Sequence, residues 1–258
     1  MALLIAARYG CLEIAELLLS IPSFADFGVQ KIHSKGVNPT SSAIQNIDVN
    51  LQDKDGWTAL IRASRSGYTD MVRLLFSKSE SSDSGTIQRL NVNLQTEDGQ
   101  TALIEASWNG HVEIVELLLS RKDLDVNLQV IEGVTALMGA SLQGHIEIVK
   151  LLISSQKINV NLQDEDGDTA LMNASEYGHI AIIELLLSNP DLDINLQDKD
   201  GNTALMIASQ WGYTEVVKLL LSKPEINVNL QDKDSWTALM IASRWGRTEI
   251  VSLLENHK

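Results

Sequence analysis

The segment Thr-Ala-Leu recurs at Thr58, Thr101, Thr135, Thr169, Thr203 and Thr237, at successive spacings of 43, 34, 34, 34 and 34 residues. A further copy, lacking its Thr, opens at Met1. Each copy continues through an Ala-Ser pair (Ala-Ala in the first), a Gly, an apolar block such as Glu113 to Ser120, and a Val/Ile-Asn-Leu-Gln segment. A fixed period of this length restricts the chain to a stack of small modules. One module cannot bury its apolar stripe alone, so each must lean on its neighbours. The period predicts one domain over 1–258 built of seven units, approximately 1–47, 48–90, 91–124, 125–158, 159–192, 193–226 and 227–258. The two longer units carry surface loops inserted at 21–47 and 77–90.

The third copy shows the physics of a unit. Asp98-Gly99 supplies a turn, because Gly accepts a positive φ without steric cost. Thr101 stands where an N-cap hydroxyl satisfies a free backbone N–H. Gly110 ends the first helix as a left-handed residue, and Gly10, Gly67, Gly144, Gly178, Gly212 and Gly246 stand in the same place. At about 100° per residue, Leu103, Ala106 and Ser107 fall on one side of the first helix and Glu105, Trp108 and Asn109 on the other. The small Ala-Ser pair lets neighbouring helices approach closely. In the second helix Val112, Ile114, Val115, Leu117, Leu118 and Leu119 form the apolar stripe, with Glu113 and Glu116 toward water.

These residues resemble ankyrin repeats: Asp-x-x-Gly-x-Thr before the first helix, Gly-His before the second (Gly110-His111, Gly144-His145, Gly178-His179), and Asp-Val-Asn before the next turn (Asp48-Val49-Asn50, Asp125-Val126-Asn127). Tetratricopeptide repeats share the 34-residue period but lack the Asp-Gly turn and the extended Val-Asn-Leu-Gln segment. The resemblance implies an all-α ankyrin-repeat solenoid, with a helix-turn-helix plus a β-hairpin or loop in each repeat. Three departures stand out. Thr-Ala-Leu-Met or Thr-Ala-Leu-Ile replaces the family's Thr-Pro-Leu-His, so apolar packing must replace a Thr–His hydrogen bond. Pro190 and Pro224 follow the second helix where the family has Gly-Ala. Ser235 stands where the other repeats have the turn glycine.

The resemblance also implies that partners are held on the exposed concave face of the first helices and on the hairpin tips. Carried over by position, the candidate partner-binding residues are Trp57, Arg62, Arg65, Glu105, Trp108, Asn109, Leu142, Gln143, Asp168, Asn173, Glu176, Tyr177, Asn202, Gln210, Trp211, Trp236, Arg244 and Trp245. All five tryptophans fall in these slots, as does Tyr9, and Trp and Tyr dominate interface energetics. Tyr177, Trp211 and Trp245 share one slot in three consecutive repeats, with Trp236 expected beside them. The acidic tips Asp53/Asp55, Asp164/Asp166, Asp198/Asp200 and Asp232/Asp234 read first as turn formers and second as an attraction for a basic peptide.

Composition narrows the function. A net charge of −14 disfavours nucleic-acid phosphate and anionic membranes over most of the surface, so a neutral or basic protein or peptide is the expected partner. The lone Cys11 cannot form an internal disulfide, which suits a reducing, cytoplasmic location. The apolar opening stretch, interrupted by Arg8, Glu13 and Glu16, reads as a first repeat rather than a leader. No phosphate loop, nucleophile elbow or metal-ligand spacing is present, and His111, His145 and His179 repeat as framework residues, so neither enzyme activity nor a cofactor or metal is expected. Asp198-Lys199-Asp200-Gly201 lacks the later Glu of a calcium loop.

The leading expectation is a non-enzymatic, monomeric protein-binding scaffold. The alternatives are a regulatory or targeting segment of a larger channel, enzyme or effector, suggested by Met1 opening inside a first-helix motif and by the polar stop at Glu255–Lys258, and a reader of basic peptides. Ser77, Ser79, Ser81, Ser82 and Ser84 offer phosphorylation sites in a solvated loop, and the family pattern Leu119-x5-Asp125-Val126-Asn127 implies hydroxylation of Asn127.

Overall fold

The computed structural model describes residues 1–20, 48–80 and 89–257. Ser81, Ser82 and Ser84, and the whole inserted segment 21–47, lie outside the described residues. The described chain forms fourteen α-helices: α1 (Ala2–Tyr9), α2 (Leu12–Ser20), α3 (Ala59–Ser66), α4 (Thr69–Glu80), α5 (Ala102–Trp108), α6 (Val112–Leu119), α7 (Ala136–Gln143), α8 (Ile146–Ile153), α9 (Ala170–Glu176), α10 (Ile180–Leu187), α11 (Ala204–Trp211), α12 (Thr214–Leu221), α13 (Ala238–Arg244) and α14 (Thr248–Asn256). This is an all-α solenoid. The expected hairpins are present as turns, such as Asp164 N–H to Asp168 C=O at 3.1 Å, and among the described residues they form only one isolated bridge, Gln129 with Thr135. α4 runs to Glu80, into the segment expected as loop from residue 77, because no Gly or Pro stops it there.

Helices of seven to twelve residues are too short to persist alone. Local capping starts and ends the first helix of each repeat from α3 on, whereas α6, α8, α10, α12 and α14 have no side-chain cap. Thr58, Thr101, Thr135, Thr169, Thr203 and Thr237 each accept the N–H of the residue three further on, and the glycine after each first helix is left-handed, with φ between 67° and 85°.

Packing does the rest. First helices pack against first helices of the neighbouring repeats (α1 on α3, α3 on α5, and onward to α13) more extensively than second helices pack on each other. Ala6, Ala63, Ala106, Ala140, Ala174, Ala208 and Ala242 are buried in that row, as the Ala-Ser spacing predicts. Ile114, Val115 and Leu118 of α6 are fully buried, and their equivalents repeat through α8, α10 and α12. Val112, expected in the same stripe, is exposed, as are Ile146 and Ile180. As the first residue of its helix, each lies off the seam that faces the neighbouring helices.

Three side-chain ladders tie repeat to repeat. Asn161 donates Nδ2 to the Asp191 carbonyl (2.6 Å) and accepts the Asp193 N–H on Oδ1 (2.8 Å). Asn50, Asn93, Asn127 and Asn195 do the same one repeat apart. Gln163 Nε2 donates both to Gly167 C=O (2.6 Å) in its own turn and to Gln197 C=O (2.9 Å) in the next, a pattern repeated at Gln52, Gln95, Gln129 and Gln197. The framework histidines point backward: Nε2 of His111, His145 and His179 lies 3.1 Å from the carbonyl oxygens of Arg65, Trp108 and Leu142. In the last repeat Arg247 donates to Gln210 C=O instead. Each such bond contributes about 1 kcal/mol, and the ladders fix the register in which the variable residues line up.

Candidate interaction face

Three positions of each first helix and one of each hairpin carry the variable residues. The residue just before the left-handed glycine has no following turn to cover it, so its side chain is released to solvent. Tyr177, Trp211 and Trp245 occupy that position and are 52%, 50% and 53% exposed. Three large rings thus line one edge of consecutive repeats on a framework that holds them in register. Asn109 and Gln143 are exposed in the same position. One residue earlier, Arg65, Trp108 and Arg244 are exposed, while Leu142, Glu176 and Gln210 are half-buried.

The third helix position corrects the sequence reading. Glu105 and Asn173 were expected to face solvent and are buried, and Arg62 is half-buried. This position sits one turn deeper, and the close approach allowed by the Ala-Ser pair brings the neighbouring first helix over it. Of its other occupants Ile241 and Gly139 are buried and Ile207 is half-buried, whereas Ile5, which no described first helix precedes, is 53% exposed. Gly139 has a specific reason, since a Cβ there would lie 2.9 Å from Cε3 of Trp108 in the preceding repeat. The Trp108 ring therefore rests on its neighbour while keeping an exposed face.

In the hairpin position Trp57 and Trp236 are half-buried, not free. The Arg62 and Arg65 guanidinium carbons lie 5.1 and 5.3 Å from the Trp57 ring centroid, and that of Arg244 lies 5.1 Å from Trp236. Cations from the chain itself cover these rings. Asp168 and Asn202 share this position. Asn202 Nδ2 donates to Asp198 Oδ2 at 3.0 Å, whereas the charged groups that act on Asp168 are the carboxylates of Asp164, Asp198, Glu176 and Asp166.

The electrostatics follow from these placements. Half-burial, then the charges of Asp164, Asp198, Glu176 and Asp166, push the Asp168 carboxyl up to about 6. Burial raises Glu105 as well, partly offset by Arg65 at 3.7 Å and by Asn109. Burial also works to raise Asp53, but the Arg62 guanidinium and the Trp57 and Asp55 N–H groups outweigh it and hold Asp53 below its ordinary value. The leading acids of the tips are turn formers: Asp53, Asp164, Asp198 and Asp232 each accept two backbone N–H bonds on Oδ1.

Sequence reasoning missed Arg8, which lines the same face, and Met240 and Ile131, exposed at 48% and 62%. Arg8 occupies the position of Arg65 and Arg244 and was recoverable from the repeat alignment. Met240 was not, because its counterparts Met138, Met172 and Met206 are buried.

The fold and this face define a repeat protein that presents a variable strip on a constant frame. Three matches to the family model for ankyrin repeats, over residues 3–130, 122–198 and 190–258, cover nearly all of the sequence, and the chain belongs to the ankyrin-repeat family. The crystal structure of EF0377, an ankyrin repeat protein, is similar over 80% of this chain and 100% of that one, with 28% identity and a TM-score of 0.69. A search of curated proteins finds no match. Ankyrin repeats are non-catalytic protein-interaction modules. Among the described residues no helix is long and apolar enough to cross a membrane.

Proposed function

We propose that this chain is a non-enzymatic scaffold that binds a protein or peptide partner on its first-helix and hairpin face, with Tyr177, Trp211 and Trp245 as the principal contact. The observation that carries this reading is the shared exposure of three large rings in one position of consecutive repeats. Nothing in the packing of the repeats requires a ring there, since Asn109 and Gln143 fill the same position. Rigid aromatic side chains lose little conformational entropy on binding and contribute most where a partner covers them fully. The acids around Asp168 favour a partner with a neutral or basic segment on this stretch. A regulatory segment of a larger protein would use the same face.

The test is partner identification by affinity purification and mass spectrometry, followed by titration of the purified partner against the parent chain and the Trp211→Ala/Trp245→Ala variant. Truncating two such anchors costs about 2 kcal/mol or more each, a loss of roughly 30-fold or more per residue. Unchanged affinity would refute the siting.

A further inference from the structure

We propose that the cleft lined by Arg8, Trp57, Arg62, Arg65 and Ser66 binds an anionic group, a carboxylate or phosphoryl oxygen set presented by a peptide. The cleft encloses about 370 Å³ between the first two repeats, at the opposite end of the face from Trp245. It reverses the charge of the protein as a whole: the chain carries −14, yet the lining holds three guanidiniums and no carboxylate.

The arginines are incompletely neutralised. Arg62 is paired with Asp53. Among the described residues Arg65 has only Glu105 as an ion-pair partner, at 3.7 Å, a distance too long for a good hydrogen bond. Arg8 makes no ion pair among the described residues; its guanidinium carbon lies 5.7 Å from the Tyr9 ring centroid. Arg62 and Arg65 both lie over the same indole, at 5.1 and 5.3 Å, so Trp57 holds two like charges near each other. An anion between them relieves that repulsion. Guanidinium forks already held against a ring lose little freedom when they grip a planar or tetrahedral oxyanion, and the Ser66 hydroxyl adds a donor.

This inference extends the binding face and does not rest on the aromatic column. Inorganic phosphate and succinate serve as probes, titrated at constant ionic strength set by chloride so that general screening is held fixed. The readout is the Trp57 indole N–H resonance, assigned by its loss in Trp57→Phe. A saturable shift is expected from at least one anion, weakened roughly tenfold in Arg8→Gln and in Arg65→Gln. Both residues are exposed, and an unchanged circular dichroism spectrum verifies that the variants fold. Response to phosphate alone assigns the site to a phosphoryl group, and response to succinate assigns it to acidic side chains. Trp211→Ala should leave the shift intact, which separates this site from the aromatic column. The absence of a saturable shift from either anion, or an identical shift in the Arg8→Gln/Arg65→Gln double variant, overturns the proposal.

Discussion

Replacing Ser107, Ser141 and Ser175 by alanine should stabilise the protein. These hydroxyls and that of Ser64 are buried in the row where first helices meet and have no hydrogen-bond partner among the described residues. A buried hydroxyl without a partner costs about 1–3 kcal/mol relative to its solvated state, and alanine is the better helix former by several tenths of a kcal/mol. Ala7 already fills this place in the first repeat, with full burial. Opposing this, a serine can rotate to bond the carbonyl four residues back, as Ser209 does with Leu205 at 2.7 Å. That bond is worth about 1 kcal/mol, so Ser209→Ala serves as the control and should destabilise by a similar amount. Taking about 1 kcal/mol gained per site at the low end of the penalty, the triple variant gains about 3 kcal/mol, near-additive for repeat-separated sites. For a chain of this size that raises the thermal midpoint by about 6–12 °C. Thermal and urea unfolding followed by circular dichroism reads it, comparing midpoints because repeat arrays need not unfold in one step. A triple variant that melts lower than the parent, in step with Ser209→Ala, would refute the reasoning.

Other perturbations follow from the same geometry. Ser235 has φ 64°, a left-handed conformation that costs a non-glycine residue about 1–2 kcal/mol; after the extra unfolded-state freedom of glycine is subtracted, Ser235→Gly should stabilise the last hairpin by about 0.5–1 kcal/mol, seen as slower hydrogen exchange at 232–236. Asp168, raised to about 6 in the fold from 3.8, favours its neutral form there, so its contribution to stability is full below about pH 4 and is lost as pH rises through 6. Asp168→Asn should therefore flatten the stability profile over that window and raise stability at neutral pH by about 1 kcal/mol, discounted for its partial exposure; urea midpoints at several pH values measure this. Asn161→Ala removes both inter-repeat bonds and should cost about 1–2 kcal/mol, with hydrogen exchange accelerating at the Asp193 amide. Gly139→Ala adds a Cβ 2.9 Å from the Trp108 ring and should lift that ring off α7, a change read as a red shift of its emission.

The sequence by itself determined the repeat, the caps and the turns, because these depend on residues within one unit. Thr at the N-cap, Gly at the left-handed position and the apolar spacing of the second helix act through contacts three or four residues apart, and they recur where the period put them, apart from Val112, Ile146 and Ile180, which are exposed. It also placed Tyr177, Trp211 and Trp245 in a common exposed position, since a residue just ahead of the terminal glycine has no turn above it. Contacts between units were decided by the tertiary structure. Glu105 and Asn173 lie on the same side of their helix as exposed residues but are covered by the adjacent first helix, and no intra-unit periodicity encodes how close that neighbour comes. Trp57 and Trp236 are shielded by arginines whose reach depends on side-chain packing. Ser235 shows both levels at once. A Cβ at Gly56, Gly99, Gly133, Gly167 or Gly201 would strike the backbone of the next hairpin at 2.7–2.8 Å, whereas no further described hairpin packs on residue 235. The steric need for glycine at those five positions exists only once the repeats are stacked.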